Sequence, residues 1–351
     1  MIKVLIVEDS PVMQELLAYT IQSDPDFNIV DIVSNGEDAI DAVMKKHPDI
    51  IAMDCYMPKL DGRQATRIIM ETNPTPIVIV TGSITAKDVA INFALLEAGA
   101  VAIIKKPQSL NHPEYKKDAR KLIDTLKLMS EVKVVTRFNR TLKKNKTQKC
   151  NNEKITKKNS DIKIIAIGAS TGGPKILQKI ICGLPKNIPV PILIVQHISQ
   201  GFTKGFVEWL KTTTNFPLHL ASHGERALPR HGYIAPYGFH MGIDKESKII
   251  LSEHEPENGL KPSVAFLFRT VANIFGSNAI GILLTGMGQD GAKELKLMKD
   301  KGSITIAQNE ESSAVFGMPG EAIRLNAAMH ILSPEEILNT LTALFTKTNG
   351  D

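Results

Sequence analysis

The chain has 351 residues, of which 43% are hydrophobic and 23% are charged. This composition is typical of soluble globular proteins and excludes a fibrous or low-complexity chain, while the length suits about two domains. The net charge of +5 is not spread evenly, because residues 131–161 hold ten basic and three acidic residues. That segment contains more than the whole basic surplus, which argues against nucleic acid as a partner of a folded domain.

The sequence has no run of about 18 apolar residues, the length that a membrane-spanning helix needs. Its first residues, MIKVLIVEDS, carry acidic groups and are more typical of a buried strand than of a secretory signal. Cys55, Cys150 and Cys182 have neither disulfide nor zinc-site spacing, so we expect reduced thiols. These features predict a cytoplasmic protein without membrane insertion.

Five short apolar runs alternate with helix-period segments in the first 125 residues. The runs are KVLIV (3–7), NIVDIV (28–33), DIIAM (49–53), PIVIVT (76–81) and VAIIK (101–105). Strands that alternate with helices form a parallel sheet covered on both faces. Because the loops meet at the carboxyl edge of such a sheet, the sequence predicts an α/β domain with its functional residues at that edge.

Polar side chains follow four of these strands. Glu8 and Asp9 follow the first, Asp54 the third, Thr81 closes the fourth, and Lys106 follows the fifth. A single Asp after a strand is more often a helix cap. Three neighbouring carboxylates repel one another unless a cation neutralises them, and oxygen ligands of this kind suit Mg²⁺.

With VEDS, MDCYMPKLDG, the strand-ending Thr81 and IKKP, residues 1–125 resemble the receiver domain of response regulators. The resemblance implies a flavodoxin-like fold with a five-stranded parallel sheet and a histidine kinase as phosphodonor. It also implies that Asp54 accepts the phosphoryl group with Mg²⁺ as cofactor. The metal would be held by Glu8, Asp9 and Asp54, Thr81 would report the modification, and Lys106 would pair with it.

Two further expectations follow from the receiver resemblance. A cis peptide bond is expected before Pro107. Ile103 stands where many receivers carry an aromatic residue, so the usual aromatic rotamer signal is in doubt, although phosphorylation is not.

Residues 126–161 are rich in Lys, Asn and Thr and poor in aliphatic side chains. Such a segment buries too little apolar surface to offset its ordering entropy. We expect a basic, flexible linker between a receiver at 1–125 and a second domain at 162–348. A functional basic arm is the alternative.

The strand and helix alternation restarts at Lys163, with the apolar runs KIIAI, PILIVQ, AIGILLT and SITIAQ. It predicts a second α/β domain, doubly wound around a mainly parallel sheet. Ser170 lies in GASTG (168–172), which matches the G-x-S-x-G turn that exposes a nucleophilic serine. The same glycines could form a structural turn or bind phosphate through free N–H groups.

A nucleophilic serine needs a base and a group that orients the base. His197 directly follows PILIVQ, and Asp290 lies in TGMGQDGA after the strand IGILL. Both are therefore expected at the same sheet edge as Ser170. The order Ser, His, Asp differs from that of ordinary α/β-hydrolases, in which the acid precedes the histidine.

The motifs GASTGGP, VQHIS, GYIAP, LLTGMGQDGA and VFGMPGEA together resemble the catalytic domain of the CheB methylesterase family. The resemblance implies a serine hydrolase, activated by phosphorylation, that demethylates glutamate methyl esters and deamidates glutamines on methyl-accepting chemoreceptors. Ester hydrolysis would need no cofactor. The family assigns Ser170, His197 and Asp290 as the catalytic set, with the backbone amides of Met287 and Thr171 holding the oxyanion.

Departures from the family pattern are Tyr237, where glycine is common, and Ala265, where an acid is more frequent. Both are expected to lie away from the triad. Met241, Met287 and Met318 are expected to be packing residues, Met287 acting only through its backbone. Two other classes remain open: a DNA-binding regulator, although no helix-turn-helix signature is present, and an adaptor without activity.

Overall fold

The computed structural model describes residues 1–82, 94–132, 134, 162–185, 187–198 and 201–346. The chain divides into two compact units, Met1–Thr147 and Gln148–Asp351. Most of the expected linker, residues 126–161, lies outside the described residues. Its first part is helical, because α5 continues through the expected boundary at residue 125 to Ser130 and buries Leu126 and Met129.

The first unit has a five-stranded parallel sheet in the order β2-β1-β3-β4-β5. This is the flavodoxin-like order, so the predicted fold is confirmed. The strands are β1 (Ile2–Val7), β2 (Phe27–Val33), β3 (Ile50–Met53), β4 (Ile77–Thr81) and β5 (Ala102–Lys105). The helices are α1 (Pro11–Gln22), α2 (Gly36–Lys46), α3 (Gly62–Thr72), α4 (residues 94–98) and α5 (Tyr115–Ser130).

Sequence features explain where these elements begin. The core strands are apolar at consecutive positions because helices cover both faces of the sheet, and all of β3 and β4 is buried. Helix α2 begins after Asn35 and α3 after Asp61, and each of these side chains accepts a hydrogen bond from a backbone N–H in the first turn. The cis bond expected before Pro107 is not found; the cis peptide bond of the described residues is Lys261–Pro262.

The second unit has a seven-stranded sheet, β14-β13-β12-β6-β7-β9-β8, in which every pairing is parallel. The strands are β6 (Ile164–Ala169), β7 (Ile192–Gln196), β8 (Leu218–Leu220), β9 (Gly232–Ile234), β12 (Ala279–Leu283), β13 (Ile304–Gln308) and β14 (His330–Leu332). A separate antiparallel hairpin joins β10 (His240–Ile243) to β11 (Ile249–Ser252). The predicted mainly parallel sheet is therefore confirmed.

Helices α6 (Gly173–Gly183), α7 (Thr203–Thr214), α8 (Val264–Phe275), α9 (Ala292–Asp300), α10 (Met318–Arg324) and α11 (Pro334–Thr346) accompany this sheet. The first strand of the second unit, β6, lies in the middle of this sheet. The strands β7, β9 and β8 lie on one side of it, and the later strands β12, β13 and β14 lie on the other. Strand order reverses between β6 and β12, and such a switch point opens a crevice at the carboxyl edge. Helix α8 packs its apolar face on this part of the sheet, with Leu267 and Phe268 fully buried.

In the described part of the chain, no helix combines the length and apolar character needed to cross a membrane. Within the same residues, neither Cys55 nor Cys182 takes part in a disulfide. Cys150 lies outside the described residues.

Candidate active site

Ser170 stands at the turn between β6 and α6. Its backbone N–H donates to Thr285 O (3.0 Å), and its carbonyl accepts from Gly173 N (2.8 Å). Gly172 adopts φ +79°, a left-handed conformation that glycine takes without strain. Across the switch point Gly286 is equally constrained, since a Cβ there would lie 2.6 Å from Ser170 Cβ. The glycines therefore let two loops close tightly around the serine.

His197 follows the neighbouring strand β7, and its backbone N–H donates to Ala169 O at 3.0 Å. Its ring Nε2 lies 2.9 Å from Asp290 Oδ2. The amide Nε2 of Gln196, a buried side chain, donates to both Ser170 O (2.9 Å) and His197 O (2.8 Å). Gln196 thereby ties together the two loops that carry the serine and the histidine.

Asp290 is held at the N-terminus of α8. Its carboxylate accepts hydrogen bonds from Ser263 Oγ (2.8 Å), Val264 N (2.6 Å) and Ala265 N (3.1 Å), in addition to the His197 ring. Burial by itself would raise the pKa of Asp290, but the His197 ring and the α8 donors outweigh burial and lower the pKa below its ordinary value. The positive end of the helix dipole favours the same ionised form.

Among the described residues no hydrogen bond connects Ser170 Oγ to the His197 ring. In the same set of residues, the backbone N–H groups of Thr171 and Met287 have no hydrogen-bond acceptor. Such spare donors beside a serine can hold an anionic oxygen.

A second polar cluster lies at the carboxyl edge of the first sheet. Lys106 Nζ is 3.0 Å from Asp54 Oδ2 and 2.7 Å from Glu8 Oε2. The other oxygen of Asp54 accepts from Cys55 N at 2.7 Å. Lys106 N donates to the carbonyl of Thr81 at 2.9 Å. Glu8, Asp54 and Thr81 are all buried, so the structure brings together the strand-end residues that the sequence singled out.

The charges in this cluster perturb one another. Burial raises the pKa of Glu8, the Asp54 carboxylate adds to the shift, and the hydrogen bond from Lys106 opposes it only in part. Burial would lower the pKa of Lys106, but the bonds to Glu8 and Asp54 raise it above its ordinary value. Oxygen atoms of Glu8, Asp9 and Asp54 lie within 4.8 Å of one another. This all-oxygen donor set, with one member exposed, fits a divalent cation such as Mg²⁺.

Comparison with known proteins agrees with both halves of this description. The family model of the CheB methylesterase matches residues 165–341, and that of the response regulator receiver domain matches residues 4–113. The chain belongs to the CheB methylesterase family.

Relatives across the whole chain support this assignment. A protein-glutamate methylesterase/protein-glutamine glutaminase of Nitrosospira multiformis is 49% identical and covers 98% of this chain and 97% of its own length. One from Syntrophus aciditrophicus is 51% identical and covers 98% of both chains. The crystal structure of the Thermotoga maritima CheB methylesterase catalytic domain matches with a TM-score of 0.51 at 39% identity, over 52% of this chain and 98% of that one.

Two expectations about single residues of the second unit need correction. Ala265 is buried and donates its backbone N–H to Asp290, so it lies beside the proposed triad and not away from it. The reason is that Ala265 lies in the first turn of α8, whose backbone N–H groups donate to the Asp290 carboxylate. Met287 is 49% exposed, whereas Met241 and Met318 are fully buried. The Met287 side chain is therefore not a packing residue. Tyr237 is exposed.

Sequence reasoning missed Gln196, Ser263 and Thr285. Ser263 before an apolar helical segment is a recognisable N-cap signal, but nothing in the sequence indicates that Asp290 shares that cap. Gln196 donates to two backbone carbonyls. Every residue has a backbone carbonyl, so the sequence does not show which of them will accept a hydrogen bond. Thr285, fully buried, also donates its hydroxyl to Thr171 O at 2.9 Å.

Proposed function

We propose that this chain is a phosphorylation-activated protein-glutamate methylesterase and protein-glutamine glutaminase of the cytoplasm, acting on methyl-accepting chemoreceptors. The observation that carries the proposal is the 2.9 Å contact between His197 and the buried Asp290, at the strand end next to Ser170. A buried acid that orients an imidazole is the arrangement by which a serine nucleophile is activated, and Ser170 is the hydroxyl at that edge whose turn is built from glycines. Family membership supplies the substrate class.

The reaction would be acyl transfer through the serine. Ser170 Oγ attacks the carbonyl carbon of a glutamate methyl ester while the His197 ring takes the hydroxyl proton. The same ring then delivers that proton to the departing methoxide, and methanol leaves. Water, deprotonated by the ring, hydrolyses the acyl-enzyme to release glutamate. Attack on a glutamine side chain would follow the same steps with ammonia as leaving group.

The histidine ring has a defined orientation for this role. Its Nε2 faces Asp290, so Nδ1 is the nitrogen left to accept the proton of Ser170. No hydrogen bond joins these groups among the described residues, so the mechanism requires one to form when substrate binds. Catalytic hydrogen bonds often shorten or form only in the substrate complex.

The negative oxygen of the tetrahedral intermediate would be held by the amides of Thr171 and Met287. Both N–H groups lack an acceptor within the described residues, and both flank the tight contact between Ser170 and Gly286. One donor of this type contributes about 3 kcal/mol to the transition state.

In the first unit Asp54 would be the phosphoryl acceptor, with a histidine kinase as donor. Glu8, Asp9 and Asp54 would hold Mg²⁺, which when bound neutralises the phosphoryl oxygens. Lys106 already pairs with Asp54 and would pair with the phosphoryl group after transfer. Thr81, buried at the end of the adjacent strand β4, would report the modification through its hydroxyl.

Phosphorylation of Asp54 would control hydrolysis by shifting the chain from a less active to a more active state. A shift of this kind needs only a few kcal/mol of differential stability between the two states. If Asp54→Ala and phosphorylated wild type hydrolyse ester equally fast, this control does not exist.

The deciding experiment is methanol release from methylated chemoreceptor membranes. Wild type, Ser170→Ala and the matched control Ser222→Ala, whose serine is exposed, are compared with and without a small phosphodonor and Mg²⁺. We expect release by wild type and Ser222→Ala, raised by the donor, and none by Ser170→Ala. Release that survives Ser170→Ala would make the GASTG segment a structural turn and overturn the mechanism.

A further inference from the structure

His240, at the start of β10, is a histidine outside the proposed triad. Its side chain is completely buried and stacks on Phe266 of α8, with ring centroids 5.1 Å apart. Ring Nε2 lies 3.0 Å from Glu255 O, and ring Nδ1 lies 3.3 Å from the backbone N of Ser263. A fully buried ring cannot touch a substrate, so any role in catalysis must pass through its neighbours.

The partners of His240 determine which ring nitrogen carries the proton. A backbone N–H only donates and a carbonyl only accepts. Nδ1 must therefore present its lone pair to Ser263, and Nε2 must carry the proton that goes to Glu255. This is one neutral tautomer, and a second proton on Nδ1 would face the Ser263 N–H.

Ser263 connects this histidine to the acid of the triad. Its hydroxyl donates to Asp290 Oδ1 at 2.8 Å and accepts from Ala265 N at 3.1 Å, so it serves as the N-cap of α8 and as a carboxylate donor at once. The backbone N–H of the same residue is bound by His240. Both the backbone N–H and the hydroxyl of Ser263 are therefore hydrogen-bonded, which fixes the position of the hydroxyl relative to Asp290.

We propose that His240 is a positioning residue for the hydrolase: it holds Ser263, and through Ser263 it fixes the Asp290 carboxylate against the His197 ring. This inference rests on the proposed function of that ring as the base. A carboxylate with three α8-side donors can still rotate if one of them shifts, and a base displaced by about 1 Å can lower the rate about 10²-fold.

Two substitutions of His240 separate positioning from packing. In His240→Asn the amide oxygen takes the place of Nδ1 and can still accept from Ser263 N–H, while the bond to Glu255 O is lost. In His240→Gln the amide nitrogen takes the place of Nε2 and keeps the bond to Glu255 O, while the acceptor for Ser263 is lost. We expect kcat for methanol release to fall about 10²-fold in the Gln variant with KM unchanged, and to be at least about tenfold higher in Asn than in Gln.

A second readout is independent of any ester. The N–H proton shared by His197 and Asp290 should give a downfield NMR signal, assigned by its absence in Asp290→Asn. We expect the signal to shift or broaden in His240→Gln and to stay near its wild-type position in His240→Asn. This measurement tests the positioning even if wild type releases no methanol. Such an absence of methanol would overturn the proposed function but not the positioning by His240.

Ser263→Ala tests the same route if His240→Gln does not fold. It should show the same fall in kcat at constant KM and the same NMR change. When both variants fold, their effects should be strongly non-additive, because each breaks one link of a single chain of contacts. Equal losses in the Asn and Gln variants, an unchanged signal in Gln, or no effect of Ser263→Ala on either readout would overturn the proposal.

Discussion

Asp54 and Asp290 both lie in loops that follow a parallel strand, Asp54 directly after β3 and Asp290 between β12 and α9, yet their surroundings differ. Each is a buried carboxylate near the carboxyl end of a parallel strand. Asp54 accepts one backbone hydrogen bond and pairs with Lys106. Asp290 is surrounded by four donors, three from the start of α8 and one from the His197 ring.

The difference in donors separates a carboxylate suited to react from one suited to orient. A carboxylate with all its lone pairs occupied keeps its charge and position, and the donors lower the pKa of Asp290. A carboxylate held by one N–H and one ammonium group keeps lone pairs that are available for attack on phosphorus. Position in the fold brings an Asp to the site, and the neighbouring helix and lysine decide what it does there.

The largest expected effect comes from Asp290→Asn. The substitution keeps the shape of the side chain but reverses the hydrogen bond to the His197 ring, and a triad altered in this way loses about 10⁴-fold in kcat. Steady-state methanol release measures the loss. A variant retaining more than a tenth of wild-type activity would mean that Asp290 does not orient the base.

Asp54→Asn should abolish phosphorylation of the first unit and leave the second unit intact. Label from a radioactive small phosphodonor should fall to background, and the donor should no longer raise hydrolysis. Basal hydrolysis should stay within about twofold of unphosphorylated wild type, because the triad does not include Asp54. Undiminished labelling would place the phosphoryl group on another residue.

Gly286→Ala and Gly62→Ala compare the two sites through packing alone. A Cβ at Gly286 would lie 2.6 Å from Ser170 Cβ, and a Cβ at Gly62 would lie 2.2 Å from Asp54 O. We expect Gly286→Ala to lower basal kcat about 10²-fold by displacing the serine, and Gly62→Ala to impair only phosphorylation. Loss of phosphorylation in Gly286→Ala, or loss of basal hydrolysis in Gly62→Ala, would contradict the separation of the two sites.

The smallest effect concerns stability and pH. Since the pKa of Asp290 is lowered by folding, its ionised form stabilises the folded state above the unfolded pKa of about 3.9, and this contribution is lost as pH falls through the folded pKa. The free energy of unfolding should therefore decrease more steeply below pH 4 in wild type than in Asp290→Asn.

Urea unfolding followed by tryptophan fluorescence measures this difference in the catalytic unit. Trp209, the one tryptophan of the chain, is buried in α7 of that unit. Parallel curves for the two proteins between pH 6 and pH 3 would show that the α8 donors do not stabilise the ionised acid.

Much of this arrangement follows from the sequence. Apolar runs bounded by polar residues located every strand of the first sheet and the four central strands of the second. The clearest runs belong to strands that are buried along their whole length, namely β3, β4, β6, β7, β12 and β13. Ser170, His197 and Asp290 could be placed at one edge since each follows such a strand. The assignment of the chain to the CheB methylesterase family, made from motifs, is confirmed, whereas the catalytic roles of these three residues stay a prediction.

The remaining features depend on contacts between distant segments. Strands β8, β9 and β14 have three residues each, too few for an alternating pattern. The placement of Ala265 was wrong because its contact with Asp290, 25 residues later, depends on where α8 begins. The end of α5 was missed because Leu126 and Met129 lie in a segment whose overall composition is that of a linker.

The donors around Asp290 have a further consequence for enzyme kinetics. An acid already ionised well below pH 5 contributes no inflection to a rate profile recorded between pH 5 and 9. The helix that fixes the carboxylate thus removes Asp290 from the groups that could shape the rate profile in that range.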